Sequence, residues 1–406
     1  MNDSPLARAS ARTFAVEVSF DSSAVVAQWE ALEKHGTPFQ TRAWILPWRR
    51  IVAPKFGAAP VYVTVRDPGT GRALLFFPLC LRRRHGLATI EFPDLGLSDY
   101  NAPLLASDLD LSACELRELW DTIRRALPPA DIVRFDKVPV TLRGRDNPIA
   151  RLDWMRPMEL CAWELRLPAS REAYEKDVLD RKARKEHRRK RKRLAQHTGA
   201  FALVHAATPS DGGAIFDALR DERWARFQRT KRADVLEDPC FLAFYRAVVF
   251  DNWSPFVDLA ALMVGDKILA TLFALRHEGA YLLLMHSFEP TLEAFSPSIV
   301  AIDEMVTHLI ASGVRVFDFT VGNEAYKLQF GVRKTPLVRG LYPLSLRGRL
   351  YASAYACAKR GQRALGGMGD WLSGQRLRRR RRKDGASHGQ EGEPTRLFAR
   401  GDRLQL

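Results

Sequence analysis

The feature that most constrains this chain is a pattern that occurs twice. ALLFFPLCLRRRHG (73–86) and ILATLFALRHEG (268–279) are each a β-type run closing in basic residues and a Gly turn. Each forms the middle of a three-strand meander. In the first half the neighbours are PVYVTVR (60–66), followed by Asp67-Pro68-Gly69, and ATIEFP (88–93). In the second they are VDLAALMV (257–264), followed by Gly265-Asp266, and AYLLLMHSF (280–288). Aliphatic, β-branched and aromatic runs bounded by turn formers predict strands. Their recurrence predicts a structural duplication, two α/β units in tandem.

Helical patterns fill the gaps. The first half opens with a strand at 14–18 and a helix from about Ser23, apolar at Val25, Trp29 and Leu32 and stopped by Gly36. A Trp-rich helix over Trp44–Ile51, a helix at about 110–126 and a strand at 131–138 complete it. The second half opens with a long basic helix at about 170–197, then a strand at 200–206 and helices at about 209–229 and 240–251. Ser296 is an N-cap residue type, Pro297 suits the first helical position and Gly313 is a natural stop, so a helix is predicted from Pro297 to Ser312. A strand at 314–321, a short helix at 323–330, a strand at 335–346 and a helix at 349–365 follow. The expected units are 14–160, 161–350, a terminal helix 351–366 and a basic tail 367–406, whose Gly-, Arg- and polar-rich composition predicts disorder.

Charge narrows the function classes. The 406 residues carry 63 Lys plus Arg against 47 Asp plus Glu, a net of +16. Nearly all of the excess is local: eleven basic and three acidic side chains lie in 176–193, and seven basic and no acidic ones in 376–383. The basic helix is an obvious candidate for nucleic acid. No zinc finger, RNP-type aromatic pattern or recognition helix accompanies it, so a solvated helix facing donor phosphates or an anionic surface is the favoured expectation. The 376–383 run reads as an attachment to anionic lipid or nucleic acid, or as a solubilising tail. Cys80, Cys114, Cys161, Cys240 and Cys357 form no CxxC or CxxH pair, so no metal is expected and the thiols read as reduced and buried. No apolar run approaches a membrane span of about 18 residues and the start lacks a signal-peptide core; the chain is expected in the cytoplasm.

A strand, a bend and a helix with exposed amides at its start is what a pyrophosphate needs, because orphan N–H groups and the helix dipole favour an anion. Ser296, Pro297, Ser298 and Ile299 mark such a place, although most capped helices share the feature. The surrounding stretch, 288–331, carries a more specific pattern: Phe295-Ser296-Pro297, a helix, Gly313, Asp318-Phe319, Gly322, then Glu324-Ala325-Tyr326-Lys327 before Phe330. It resembles the C-terminal signature of CelD-type acetyltransferases, a branch of the GNAT superfamily associated with polysaccharide loci. The basic Arg188 to Leu194 run with Gly199, the Arg223-Trp224 helix, and in the first half Trp44, Pro78-Leu79 and Asp99-Tyr100-Asn101 extend the resemblance over roughly 14–350. It implies two GNAT-like domains with mixed, splayed sheets, as in FemAB-type aminoacyl transferases. It also implies acetyl-CoA or another acyl-CoA as donor, and an amine or hydroxyl acceptor such as an envelope sugar. The usual Gln-x-x-Gly-x-Gly or Ala pyrophosphate loop is absent, and Ser298 stands where relatives often have Gly. In FemAB-type relatives a helical element at the position of the basic helix engages tRNA, which makes an aminoacyl-tRNA donor the enzymatic alternative; a GNAT scaffold that only binds anions is another.

Acyl transfer needs a base for the acceptor and a donor near the thioester oxygen. The catalytic candidates are His286, Asp318, Glu324 and Lys327, with Asp99, Tyr100, Arg223 and Tyr326 for the substrate. Each has a structural alternative. His286 and Tyr326 read equally as core, Asp318 as a loop brace, Glu324 with Lys327 as an i, i+3 surface pair, Asp99-Tyr100-Asn101 as a turn, and Arg223 as a partner of Asp221 or Glu222. No cysteine sits in a motif for a covalent intermediate, so direct attack is expected.

Overall fold

The computed structural model describes residues 13–358 apart from His85, Arg232 and Ser254. It divides into two units, Met1–Arg349 and Leu350–Leu406. Of the second, residues 350–358 are helical; the expected tail 367–406 and its 376–383 run lie outside the described residues.

The first half of the large unit contains β1 (Ala15–Ser19), α1 (Val26–Glu33), α2 (Arg42–Lys55), β2 (Ala59–Arg66), β3 (Ala73–Arg84), β4 (Leu87–Glu91), the short β5 (Leu104–Leu105), α3 (Ala113–Ala126) and β6 (Ile132–Pro139). A two-strand turn, β7 (Thr141–Leu142) and β8 (Arg145–Asp146), leads to β9 (Met155–Arg166). The second half contains α4 (Arg171–Ala173), α5 (Arg181–Thr198), β10 (Ala202–His205), α6 (Pro209–Thr230), α7 (Pro239–Asp251), β11 (Val257–Val264), β12 (Lys267–His277), β13 (Ala280–Phe288), α8 (Pro297–Ala311), β14 (Val316–Val321) and β15 (Arg333–Pro343). The predicted long basic helix is in fact broken. A π turn covers Tyr174–Val178, Leu179 is extended, and Asp180 caps α5 by accepting from the Ala183 N–H at 2.7 Å.

One mixed sheet runs through both halves in the order β1-β2-β3-β4-β6-β15-β9-β14-β13-β12-β11-β10, with β5 pairing β3. Reading inward from either edge gives the same sequence of events: an edge strand, the meander, and one parallel pair, β4 with β6 or β13 with β14. Each parallel pair is joined by a crossover carrying a helix, α3 or α8, as parallel neighbours require. This is the duplication that the repeated pattern predicts. The last strand of each half, however, has changed sides. β9, which ends the first half, pairs with β14 of the second, and β15, which ends the second, pairs with β6 of the first. The two exchanged strands also pair with each other. The expected boundary at 160/161 therefore falls inside β9.

Strand alternation divides the second half into two layers. Leu259, Ala261 and Phe273 face Ile215, Phe216 and Leu219 of α6, while Ala260, Leu262, Leu272 and Ala274 share a core with Val300, Ala301, Met305 and Leu309 of α8. Burial on both faces explains why these strands read as continuous apolar runs. The Trp-rich helix α2 packs on α7 across the halves, with Trp44 edge-on to Phe244 at 5.0 Å. The expectation of buried thiols fails for Cys114 and Cys357, which are exposed on the outward sides of their helices; Cys80 and Cys161 are buried, and all five cysteines are free. Among the described residues no helix is long and apolar enough to cross a membrane.

Because each half borrows a strand, neither has a closed sheet alone. Residues 161–349 expressed by themselves are expected to lack a cooperative thermal transition by circular dichroism, while residues 13–349 melt cooperatively. A sharp transition for 161–349 alone would show that the exchange is dispensable.

Candidate active site

β13 and β14 run side by side only at Ala280↔Val316, Tyr281↔Phe317 and Leu282↔Asp318, and then part. Two irregularities accompany the separation. Thr320 is left-handed, with φ +55°, a conformation costly for a β-branched residue. On β13, Met285 pairs with Phe273 and Leu283 with Ala274, so Leu284 is an extra residue without a partner on β12.

Asp318 stands at the apex of this opening. Both of its carboxylate oxygens accept from the Tyr100 hydroxyl, at 2.8 and 2.9 Å, and Oδ1 also accepts from the Thr320 N–H at 2.7 Å. Burial nevertheless pushes its carboxyl up to about 7, with the charges of Glu164 and Asp99 adding to the rise. Asp99 is raised to about 6, again chiefly by burial, which Lys137 and a hydrogen bond from Thr320 partly offset. The first half thus contributes Asp99 and Tyr100 to a site at the heart of the second. Their loop is rigidly held. Gln40 Nε2 donates to Tyr100 O (2.8 Å), Trp44 Nε1 to Ser98 Oγ (3.0 Å), Tyr245 Oη to Leu97 O (3.3 Å), and Lys137 Nζ to Asp94 Oδ1 (2.9 Å).

His286 lies four residues beyond the apex, about 13 Å along the strand at the usual rise. Its Nε2 is 3.0 Å from the Tyr326 hydroxyl, a bond that links β13 to the segment following β14. Burial, then the charges of Arg226, Arg223 and Lys327, push the imidazole down to about 3, so it is neutral near pH 7, and its Nδ1 is buried without a partner. Burial also raises the Tyr326 hydroxyl. Lys327 is 3% exposed; its ammonium donates to Val321 O (3.2 Å) and Thr320 O (3.4 Å) and pairs with Glu324 Oε2 at 3.0 Å. Glu324 is exposed. The Glu324–Lys327 pair thereby braces the left-handed bend at Thr320. Gly322 completes the bend, its φ of +141° being a conformation that residues with a Cβ rarely adopt.

At the start of α8, Ser296 occupies the cap position with a left-handed backbone (φ +54°) and makes no side-chain cap; its carbonyl accepts from Ile299 N at 3.0 Å. Pro297 brings no N–H. Ser298 is buried, its hydroxyl donating to Ser287 O at 3.1 Å and tying the helix start to β13. Arg223 forms a two-pronged, nearly buried ion pair with Asp234 (2.6 and 2.9 Å) rather than with Asp221 or Glu222. At i−2 and i−1 those neighbours do not face it on a helix, whereas the loop before α7 brings Asp234 over it.

The structure therefore brings Asp99, Tyr100 and Asp318 into one cluster, and His286 and Tyr326 into a second one farther along the opening. It also reveals two features that the sequence analysis missed. Leu284 shows no signal, being one of three successive leucines. Glu222 does show one: it continues the inward row Ile215, Leu219 of α6. Its carboxyl is buried, accepts from the Thr271 hydroxyl at 2.6 Å, and is raised by burial to about 7. Among the described residues no group of three or more His, Cys, Asp or Glu side chains is placed to hold a metal.

A carboxyl whose folded pKa lies above its unfolded value binds its proton more tightly when folded, so stability is full below about 4 and falls as pH rises to about 7. Asp318→Asn is therefore expected to raise the melting temperature more at pH 8 than at pH 5. An equal shift at both pH values would show that Asp318 is not held protonated.

Residues 181–328 match the family model described as an acetyltransferase (GNAT) domain. No curated protein matches the chain. Among solved structures, that of FemX is 11% identical and covers 83% of this chain and 99% of its own, with a TM-score of 0.57. The C-terminal domain of a putative lysylphosphatidylglycerol synthetase from Agrobacterium fabrum is also 11% identical, with 82% and 96% coverage and a TM-score of 0.50. At such identity these two show the fold alone. The family match and the parted strands fall on the same stretch of chain, residues 181–328.

Proposed function

We propose that this protein transfers an acyl group from acyl-CoA to an amine or hydroxyl, with the acceptor entering between the two halves. The observation that carries the reading is the opening between β13 and β14 with Asp318 at its apex. A pantetheine arm would lie between strands that have shed their mutual hydrogen bonds, and the unpaired Leu284 beside it would offer backbone polarity to a thioester oxygen. The CoA pyrophosphate would lie against Ser296, Pro297, Ser298 and Ile299 at the start of α8. Their fit is limited: Pro297 has no donor and the Ile299 N–H is engaged by Ser296, which leaves the Ser298 N–H and the helix dipole as the attraction.

In the reaction, the acceptor's nitrogen or oxygen attacks the thioester carbon and Asp318 takes its proton. The carbon–sulfur bond then breaks, and the departing thiolate takes up the proton that Asp318 has accepted, while the His286–Tyr326 pair farther along ties β13 to the segment after β14. A carboxyl near 7 suits the first role, since its pKa lies close to ambient pH. Asp99 and Tyr100 position the acceptor, and Glu324 and Lys327 hold the bend that places Asp318. A sugar of the cell envelope and an acetyl group are the acceptor and cargo suggested by the signature at 295–330. A second reading, an aminoacyl-tRNA donor, draws on Arg181, Lys182, Lys185 and Lys192 of α5, which are exposed and have no acidic partner among the described residues.

Calorimetry with acetyl-CoA, longer acyl-CoAs and deacylated tRNA separates the two donors; acyl-CoA binding without tRNA binding is expected. With an acceptor in hand, turnover is expected to rise with pH through about 7 and to fall by a factor of about 10² or more in Asp318→Asn. Glu324→Gln is expected to cost far less. A full-rate Asp318→Asn enzyme would remove Asp318 from the mechanism.

A further inference from the structure

The basic helix α5 does not present its charge uniformly. Much of the charge in its middle is engaged by the protein's own side chains: Arg188 pairs with Glu175, Arg189 with Glu186, Arg191 with Glu304, and Lys190 bonds Gln329 at 2.9 Å. At its C-terminal end the pattern changes. Arg193 and His197, one helical turn apart, both close on Phe295. The His197 ring stacks on the phenyl ring with centroids 4.1 Å apart and planes inclined by 12°, and the Arg193 guanidinium lies 5.6 Å from the same centroid. Both side chains are exposed, and among the described residues Arg193 has no carboxylate partner. The nearest acidic side chain in sequence to this ring, Glu293, is paired with Arg229 at 2.8 Å. Phe295 immediately precedes the left-handed Ser296 and Pro297, so this cation and these two rings stand at the mouth of the proposed donor site.

A guanidinium held over a ring with no acid to satisfy it is suited to an anion, and the free face of a stacked imidazole to a flat aromatic base. Resting on the donor reading above, we infer that Arg193 binds the 3′-phosphate of the CoA nucleotide and that the His197–Phe295 stack supports its adenine. The site would then recognise the whole nucleotide rather than the pantetheine arm alone. The lost glycine-rich loop is in part replaced by side chains from a helix that precedes the domain's first strand, β10. This also gives α5 a division of labour: its inward row anchors α8, and its last turn reads the donor.

The test compares CoA with dephospho-CoA, which lacks only the 3′-phosphate, by calorimetry on the full chain at fixed moderate salt. The wild type is expected to bind CoA about tenfold more tightly than dephospho-CoA. Arg193→Ala is expected to abolish that preference by weakening CoA while leaving dephospho-CoA within about twofold, and Arg193→Lys to restore part of it. His197→Ala is expected to weaken both ligands alike, because both carry adenine. If CoA binds but Arg193→Ala leaves the preference intact, or if the wild type shows none, the assignment of Arg193 is overturned while the donor reading stands. If His197→Ala weakens neither ligand, the adenine stack is overturned. If the wild type binds neither ligand, the donor reading itself fails and this inference with it.

Discussion

Everything at the site depends on the parting of β13 from β14. Two parallel strands give up their ladder after Leu282 and Asp318, and backbone groups freed in this way must be satisfied by something else. The protein meets that cost with a buried lysine. Lys327 donates to the carbonyls of Thr320 and Val321 and is neutralised by Glu324, while the Thr320 side chain returns to Leu283 across the gap at 3.1 Å. A left-handed threonine and a buried cation are two local penalties, concentrated beside a glycine at φ +141°, a conformation that residues with a Cβ rarely adopt. Strain persists in a native structure only where its surroundings over-determine it, and here they do.

The exchanged strands β9 and β15 supply the frame around this opening. β9 closes the far side of β14, and Glu164 on it faces Asp318 in register. The same exchange locks the first half against the second, so Tyr100 and Asp99 reach Asp318 with fixed geometry. The acidity of Asp318 follows from that enclosure. Two hydrogen-bond donors, the Tyr100 hydroxyl and the Thr320 N–H, would lower a solvent-exposed carboxyl, yet burial and two neighbouring carboxylates outweigh them. A carboxyl near neutrality in a net-positive chain is thus a product of position alone.

The first half shows what an equivalent unit looks like without the opening. β4 and β6 also pair only briefly, and Lys137 is left-handed as Thr320 is. There the gap is filled from within: Lys137 binds Asp94, and Asn101 bonds Asp94 and the Asp136 carbonyl. The crossover helix α3 begins with a capping box in which Glu115 occupies the Ser112 N–H at 2.8 Å. The two halves share a plan and differ in what bridges the parted strands: Lys137, Asp94 and Asn101 in the first, Thr320, His286 and Tyr326 in the second.

The repeated meander, the start of α8 at Pro297 and the alternation of apolar runs were legible because they depend on residues close in sequence, although Ser296 makes no side-chain cap there. So was the Glu324-Ala325-Tyr326-Lys327 cluster, although its spacing is equally that of a surface pair. The strand exchange was not legible, since β9 and β15 carry the same apolar, β-branched composition whichever half they join. The partner of Arg223 was missed because helical spacing ranks neighbours by sequence, whereas Asp234 arrives through a loop. Glu222 sat in plain view on an apolar row, but a charged residue on such a row discloses its protonation only when its surroundings are known. The sequence by itself determined most of the elements and their repetition. Only the tertiary structure decided which carboxyl is buried, which lysine is bound to backbone, and which half lends Tyr100 to Asp318, because burial and long-range pairing are properties of the packed chain and of no segment within it.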